Sequence, residues 1–262
     1  MRGLILLSAG ILAALTFSFA CYGVTLESIP PEAKVQVRGG AWFSNVDGDI
    51  LVEEAGIGTE VDLEGDLGID GETSPEIQVN FRPWSKLIFG VGYRKLDYSG
   101  SNVLTRDIEF GGTTYTVGVD VDSEMELAFY DIDLRHAIVQ VANSEFCWGI
   151  GVSIVDLDVS VEGDPGGGTV TETESAVVPL PGLALGARLQ PLDLVYVRAE
   201  ARGLYAGSTG HIVDAEAAVG ANLTRYFSVE GGYRIFDFSV DIDDVDASMT
   251  FDGAFVSASG QF

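Results

Sequence analysis

The residues of this chain that are best suited to chemistry or binding are charged side chains that recur at every second position. Arg198, Glu200 and Arg202 alternate with alanines, while Asp131 and Asp133 alternate with apolar residues. Side chains two residues apart in a β-strand project from the same face. Each such run therefore places guanidinium and carboxylate groups together, where they can form ion pairs or line a polar path.

The same pattern recurs along most of the chain and predicts one charged face on each of several strands. Eight arginines and seven carboxylates follow it: Arg38, Glu76, Arg82, Arg94, Asp131, Asp133, Arg135, Arg188, Arg198, Glu200, Arg202, Asp214, Glu216, Glu230 and Arg234. If a narrow barrel encloses them, unpaired charges would be costly to bury. The sequence thus predicts a salt-bridged, largely plugged lumen with a structural role. The alternative is a narrow conduit for ions or small solutes.

Enzyme chemistry has one candidate pair, His211 and Asp214. An imidazole beside a carboxylate can act as a general base in hydrolysis. No nucleophile or oxyanion motif accompanies the pair, so we predict no catalytic residue and no cofactor. A surface-exposed barrel enzyme using these two residues is the alternative.

Acidic segments provide the weak metal candidates. Asp241, Asp243, Asp244 and Asp246 present oxygen ligands that suit Ca²⁺ or Mg²⁺. They do not follow the twelve-residue calcium-loop pattern, so a solvated acidic face is the preferred interpretation and no metal site is predicted. Divalent cations could instead bridge such loops to lipopolysaccharide. The net charge of −26 excludes a nucleic-acid partner, because a polyanion would be repelled.

The elements that must position these side chains are ten runs of strict apolar–polar alternation, which is typical of β-strands. They are 34–43, 76–82, 87–98, 126–139, 146–157, 183–189, 194–205, 213–223, 227–238 and 250–262. Short turns on one side alternate with the long segments 44–75, 99–125, 158–181, 206–212 and 239–249. This layout predicts an all-β, closed antiparallel transmembrane barrel of about ten strands, with short periplasmic turns and long acidic extracellular loops. Aromatic residues near strand ends are expected in interfacial belts: Trp42, Trp84, Tyr98, Tyr205, Tyr226 and Phe227.

The N-terminus has the pattern of an export signal. A basic start, an apolar run over 4–19 and the small-x-small sequence Ser18-Phe19-Ala20 predict a signal peptide over 1–20. A periplasmic segment, 21–33, would then precede a barrel spanning 34–262. Cys21 follows the cleavage site, but Ser18 stands where a lipobox usually has Leu, so ordinary cleavage is favoured. A soluble-type β lipoprotein anchored through Cys21 is the alternative.

The last residue, Phe262, ends a half-apolar strand that resembles the C-terminal strand of bacterial outer-membrane barrels. That resemblance implies an assembly signal read by the barrel-insertion machinery. Further stretches resemble a poorly characterised family of outer-membrane β-barrel proteins of Gram-negative bacteria: 58–63, 66–70, 96–100, 110–115 and 178–182. The resemblance implies location in the outer membrane among lipid and lipopolysaccharide, and it implies no catalytic residues.

Overall fold

The computed structural model describes residues 33–52, 61–69, 71–141, 144–205, 210–242 and 245–262. The signal peptide predicted over 1–20, Cys21 and the segment up to residue 32 lie outside the described residues. Asp243 and Asp244 also lie outside them, and the side chains of Asp241 and Asp246 are not described.

Ten long strands and three short ones make up the secondary structure of the described residues. The long strands are β1 (Val35–Val52), β3 (Glu72–Trp84), β4 (Leu87–Val103), β7 (Asp120–Val141), β8 (Ser144–Gly163), β9 (Val170–Leu189), β10 (Val195–Tyr205), β11 (Gly210–Asn222), β12 (Phe227–Ile242) and β13 (Val245–Gln261). The short strands are β2 (Val61–Asp62), which pairs with β1, and the hairpin of β5 (Ile108–Phe110) with β6 (Thr113–Tyr115). No helix in the described part of the chain is long and apolar enough to cross a membrane.

The first and last long strands pair with each other and close the barrel. β1 and β13 are antiparallel from Gln36 opposite Gln261 to Val52 opposite Val245. Beyond the ladder, the backbone N–H of Phe262 donates to the carbonyl of Val35 over 2.9 Å. Closure leaves the long strands without a free edge, and it confirms the predicted closed antiparallel barrel of ten strands.

An apolar belt covers the outside of the barrel. Val91 and Ile132 are 47% and 42% exposed, and Ile150 and Val256 are 58% and 53% exposed. A soluble protein rarely presents so continuous an apolar surface to water. The belt is suited to contact with the hydrocarbon tails of lipids. The strands can cross a bilayer because their backbone groups are hydrogen-bonded to neighbouring strands.

Above the belt, the two faces of the sheet exchange character. Outward positions become acidic, as at Glu126 and Asp156, while inward positions become apolar, as at Leu127 and Val155. The strands therefore extend well into the segments that the sequence analysis interpreted as loops, including 99–125 and 158–181. Outside the bilayer the outward face meets water, so an apolar inner face is the one that stabilises the extended strands.

Two aromatic residues expected in the interfacial belts face inward instead. Trp42 and Tyr98 are 0% and 2% exposed, so that expectation was wrong for both. Trp42 Nε1–H donates to the carbonyl of Gly253 over 3.3 Å, and the hydroxyls of Tyr98 and Ser44 are 2.7 Å apart. Each ring thus buries its apolar part and keeps a hydrogen bond for its polar atom.

We call the apolar filling of the extracellular half the inner core. It includes Trp42, Leu96, Phe129, Phe236 and Phe251 from five strands. The segment 61–69 and the β5–β6 hairpin add Leu63, Leu67, Ile69, Phe110 and Tyr115 from above. Outside the membrane, the barrel therefore has an apolar interior, as a water-soluble β-barrel does. At the level of the membrane, its interior is polar.

Candidate functional site

The lumen is the candidate site, because all the charged residues that the sequence analysis singled out for it lie on the inner face of the sheet. Most of them are buried, among them Arg38, Arg94 and Glu216. Arg188, Glu200 and Arg202 line cavities inside the barrel. Glu145, near the start of β8, joins them and is also buried. Among the described residues, eight arginines therefore face eight carboxylates.

Glu145 is absent from the predicted lumen residues because the fifth predicted strand begins at residue 146. Its position two residues before the inward-facing Cys147 was the signal that could have revealed it. Arg82 Nη2 donates to both carboxylate oxygens of Glu145 over 2.9 Å. Gln140 Nε2 also donates to Glu145 over 2.8 Å. This pair closes the network towards the periplasmic end.

Four residues from four strands form what we call the central cluster: Arg38, Arg198, Glu216 and Glu230. Arg38 Nη1 lies 3.2 Å from a carboxylate oxygen of Glu216 and 3.2 Å from one of Glu230. Arg198 pairs with the same two carboxylates, contacting Glu230 over 2.6 Å. The hydroxyls of Tyr196 and Ser257 donate to Glu230 over 3.0 Å each. The cluster therefore binds β1, β10, β11 and β12 together through the lumen.

A second group of ion pairs lies closer to the inner core. Arg234 pairs with Asp214 and, over 3.1 Å, with Glu76. Arg202 pairs with Asp131. Arg135 contacts Asp133 of its own strand over 2.7 Å and Glu200 of β10 over 3.3 Å, so it joins a pair within one strand to a pair across the lumen. Buried ions need several such partners to offset their desolvation.

Arg94 joins the ionic network to the inner core. Its guanidinium carbon lies 4.4 Å from the centroid of Phe129, 5.3 Å from that of Trp42 and 5.7 Å from that of Phe236. On its other side, Nη2 lies 3.6 Å from Asp214. A guanidinium can stack on rings and pair with a carboxylate at once. The alternation of the sequence predicts that Arg94 faces the lumen, but no sequence pattern indicates its aromatic surroundings.

Two cavities of about 60 Å³ each remain in the ionic part of the lumen. Arg38, Arg135 and Glu200 line both cavities and lie between them. Each cavity has room for a few water molecules. The side chains thus divide the remaining space into compartments.

The catalytic pair considered from the sequence is not formed. His211 faces outward on β11, and its Nε2 lies 2.5 Å from Asp237 Oδ1 on β12. Asp214 faces inward and pairs with Arg234. Because the two positions are three apart in one strand, they lie on opposite faces of the sheet. The interpretation of His211 and Asp214 as a hydrolytic pair was therefore wrong.

The acidic segment 61–69 is tied down by an ion pair. The carboxylate of Asp66 is buried and pairs with Arg106, while Asp62 Oδ1 accepts the N–H of Gly65 over 2.7 Å. Burial raises the pKa of Asp66, but hydrogen bonds from Arg106 and from the backbone of Asp62 outweigh it and hold the pKa below its usual range. Within the part of the chain that the structure describes, no group of three or more His, Cys, Asp or Glu residues could hold a metal ion.

Comparison with known proteins identifies the class of fold. No family model and no curated protein matches the chain. The structure is similar to that of the outer-membrane protease OmpT from Escherichia coli, with a TM-score of 0.60, 9% identity, and coverage of 90% of this chain and 98% of that chain. Neisserial surface protein A has a TM-score of 0.36 and 11% identity, and covers 88% of this chain and 98% of that chain. The Pseudomonas putida toluene transporter TodX has a TM-score of 0.36 and 13% identity, and covers 88% and 90%.

At such low identity, the similarity to OmpT shows the fold alone. The fold is that of an outer-membrane β-barrel, as the sequence resemblance implied. Together with the apolar belt, the fold assigns the chain to the bacterial outer membrane.

Proposed function

We propose that this protein is an outer-membrane barrel with a plugged lumen and a structural role, supporting a rigid β-barrel extension above the membrane. The observation that carries the proposal is the position of Arg94 between Asp214 and the aromatic rings of the inner core. An ion entering the barrel from the periplasmic end would meet the ionic network first and the apolar inner core next. Either layer opposes passage, since one holds fixed paired charges and the other offers no polar partner.

A narrow conduit is the second candidate function, favoured by the two cavities inside the ionic network. Small solutes could move between such compartments only if arginine side chains such as Arg38 and Arg135 changed their partners. The inner core would have to open as well. The plugged barrel needs neither movement, so we favour it.

We propose no catalytic activity for this chain, although OmpT is a protease. His211, the histidine considered for catalysis, is held by Asp237 on the outer surface. Asp237 also accepts a hydrogen bond from the Thr250 hydroxyl over 3.0 Å. The threonine thus bonds to the carboxylate and not to the imidazole, so the arrangement does not activate a nucleophile as a hydrolytic triad would.

Lipid, lipopolysaccharide and the barrel-insertion machinery are the partners we propose. The outward carboxylates above the belt, such as Glu126 and Asp156, would lie level with the lipopolysaccharide headgroups. Both surfaces are anionic, so divalent cations between them would support the contact.

A liposome-swelling assay tests the plugged state. Proteoliposomes containing the wild-type barrel should swell in small sugars no faster than protein-free liposomes. Swelling that depends on the amount of folded barrel would reject the proposal and support the conduit.

A further inference from the structure

Arg188 is the lumen arginine whose charge the ionic network does not neutralise. It lies at the periplasmic end of β9, one residue before the last residue of the strand. Every other arginine of the lumen set has a carboxylate oxygen within 4.0 Å, and among the described residues Arg188 has none. Its contacts are the carboxamide oxygen of Asn222, which accepts from Nη2 over 3.2 Å, and the ring of Tyr196. Its Nε is buried and has no hydrogen-bond partner.

The surroundings of Arg188 are built to hold a guanidinium in a fixed position. Its carbon atom lies 3.6 Å from the centroid of the Tyr196 ring, and that ring is 1% exposed. Tyr196 in turn lies against Gly220, where a Cβ atom would come within 2.2 Å of the ring. A side chain larger than that of glycine at position 220 would displace the ring. Strands β10 and β11 therefore both position the tyrosine ring on which Arg188 stacks.

The nearby carboxylates are engaged elsewhere. Glu145 faces Arg188 in the β8–β9 ladder, but both of its oxygens accept from Arg82. Glu230 is bound by Arg38, Arg198, Ser257 and Tyr196. Neither can neutralise Arg188 without breaking a buried pair, which is costly.

A cavity adjoins Arg188 and carries excess positive charge. It measures about 60 Å³, and four arginines and three glutamates are among the residues that line it: Arg38, Arg135, Arg188, Arg198, Glu145, Glu200 and Glu230. A half-buried guanidinium without a counter-ion is a strong ligand for an anion, because its remaining N–H groups then gain charge-assisted hydrogen bonds.

We propose that Arg188 and this cavity form a binding site for one small monovalent anion of chloride or formate size, reached from the periplasmic end of the barrel. The cavity volume sets the size, and the single unneutralised charge sets the valence. Such an anion pairs with the one lumen arginine that has no carboxylate within reach among the described residues. The other cavity has no such excess of positive charge, because five arginines and six carboxylates line it.

Chloride is the probe for the test. Detergent-solubilised barrel in chloride should broaden the chloride NMR resonance, and formate should reverse the broadening, whereas gluconate, which is too large for the cavity, should not. Arg188→Gln should abolish the broadening. Arg225→Gln is the matched control: Arg225 also lies at the periplasmic end and stacks on a tyrosine, Tyr226, but it is exposed on a turn. Its loss should leave the broadening unchanged.

Asn222→Asp keeps the test decisive if Arg188→Gln does not fold. This nearly isosteric change replaces the amide oxygen that accepts from Arg188 with a carboxylate oxygen. The protein itself then supplies the missing counter-ion. Chloride broadening should be lost, and the variant should lose any chloride dependence of its thermal stability. If Asn222→Asp broadens the resonance as the wild type does, or if gluconate displaces chloride as well as formate does, the site is overturned.

Discussion

The guanidinium carbon of Arg94 lies 4.4 Å from the centroid of Phe129, while the same side chain contacts Asp214 over 3.6 Å. This single residue belongs both to the ionic network and to the inner core. The lumen is therefore filled by two chemically different layers that share a boundary. An ionic filling alone would leave the extracellular half of the barrel without a core.

The apolar belt predicts that a charge placed on the outer face destabilises the barrel by an amount that depends on its position relative to the belt. Val91→Arg should lower the free energy of unfolding by about 2–4 kcal/mol, because it places a charge in the lipid region. Ser99→Arg is the matched control, since it lies on the same face of β4 but above the belt and is already exposed. Urea unfolding in lipid vesicles measures both. Equal costs for the two variants would show that the belt is not in lipid.

The barrel and its charged face could be predicted from the sequence because both depend on strict two-residue alternation, as in Arg198, Glu200 and Arg202. The inner core could not, because the inward positions change from charged to apolar within a single strand. In β7, for example, Asp131 and Phe129 share one face. Ion-pair partners were also beyond the sequence, since strand tilt and stagger decide which residues meet across a lumen.

The pair of Arg82 and Glu145 predicts a strong energetic coupling. Glu145→Gln should destabilise the barrel by about 3–5 kcal/mol, because it leaves the Arg82 guanidinium buried without its counter-ion. The double variant Arg82→Gln/Glu145→Gln should lose less than the sum of the two single variants. A double-mutant cycle from denaturant unfolding supplies the coupling energy. Additive losses would mean that the two side chains do not interact in the membrane.

Acid should release the segment 61–69. The folded-state pKa of Asp66 lies below its usual value, so its stabilising contribution is fully present above the unfolded-state pKa of about 3.9 and is lost as pH falls through the lower folded-state pKa. Limited proteolysis of this segment should therefore accelerate only in acid. Asp66→Asn should be cleaved readily at neutral pH as well. Glu64→Gln, on the same exposed turn, should behave like the wild type; loss of protection in this control would assign the effect to the segment's overall charge.

The role of the terminal residue, Phe262, as an assembly signal remains a prediction. The Phe262 side chain is 70% exposed, and its backbone makes the hydrogen bonds that extend the β1–β13 seam. Phe262→Ala keeps those bonds, so refolding and unfolding in vitro should change little. In cells, the fraction of protein reaching the outer membrane should fall markedly if insertion machinery reads the aromatic ring. Normal assembly of Phe262→Ala in cells would reduce Phe262 to an ordinary strand end.

The plugged lumen is tested most directly by the current through single barrels in planar lipid bilayers. Two sets of changes address the two layers separately. Arg38→Gln, Arg198→Gln, Glu216→Gln and Glu230→Gln together neutralise the central cluster without net change in charge. Phe129→Ala and Phe236→Ala together open the inner core.

Because the two layers lie in series, the wild type and each set alone should stay nearly silent. The combination of both sets should pass more current than either set alone, although the ion pairs of Arg202 and Arg234 still narrow the path. Circular dichroism and heat-dependent gel mobility verify that each barrel is folded. Steady current through the wild-type barrel, unchanged by either set of substitutions, would contradict the plugged lumen and establish an open pore.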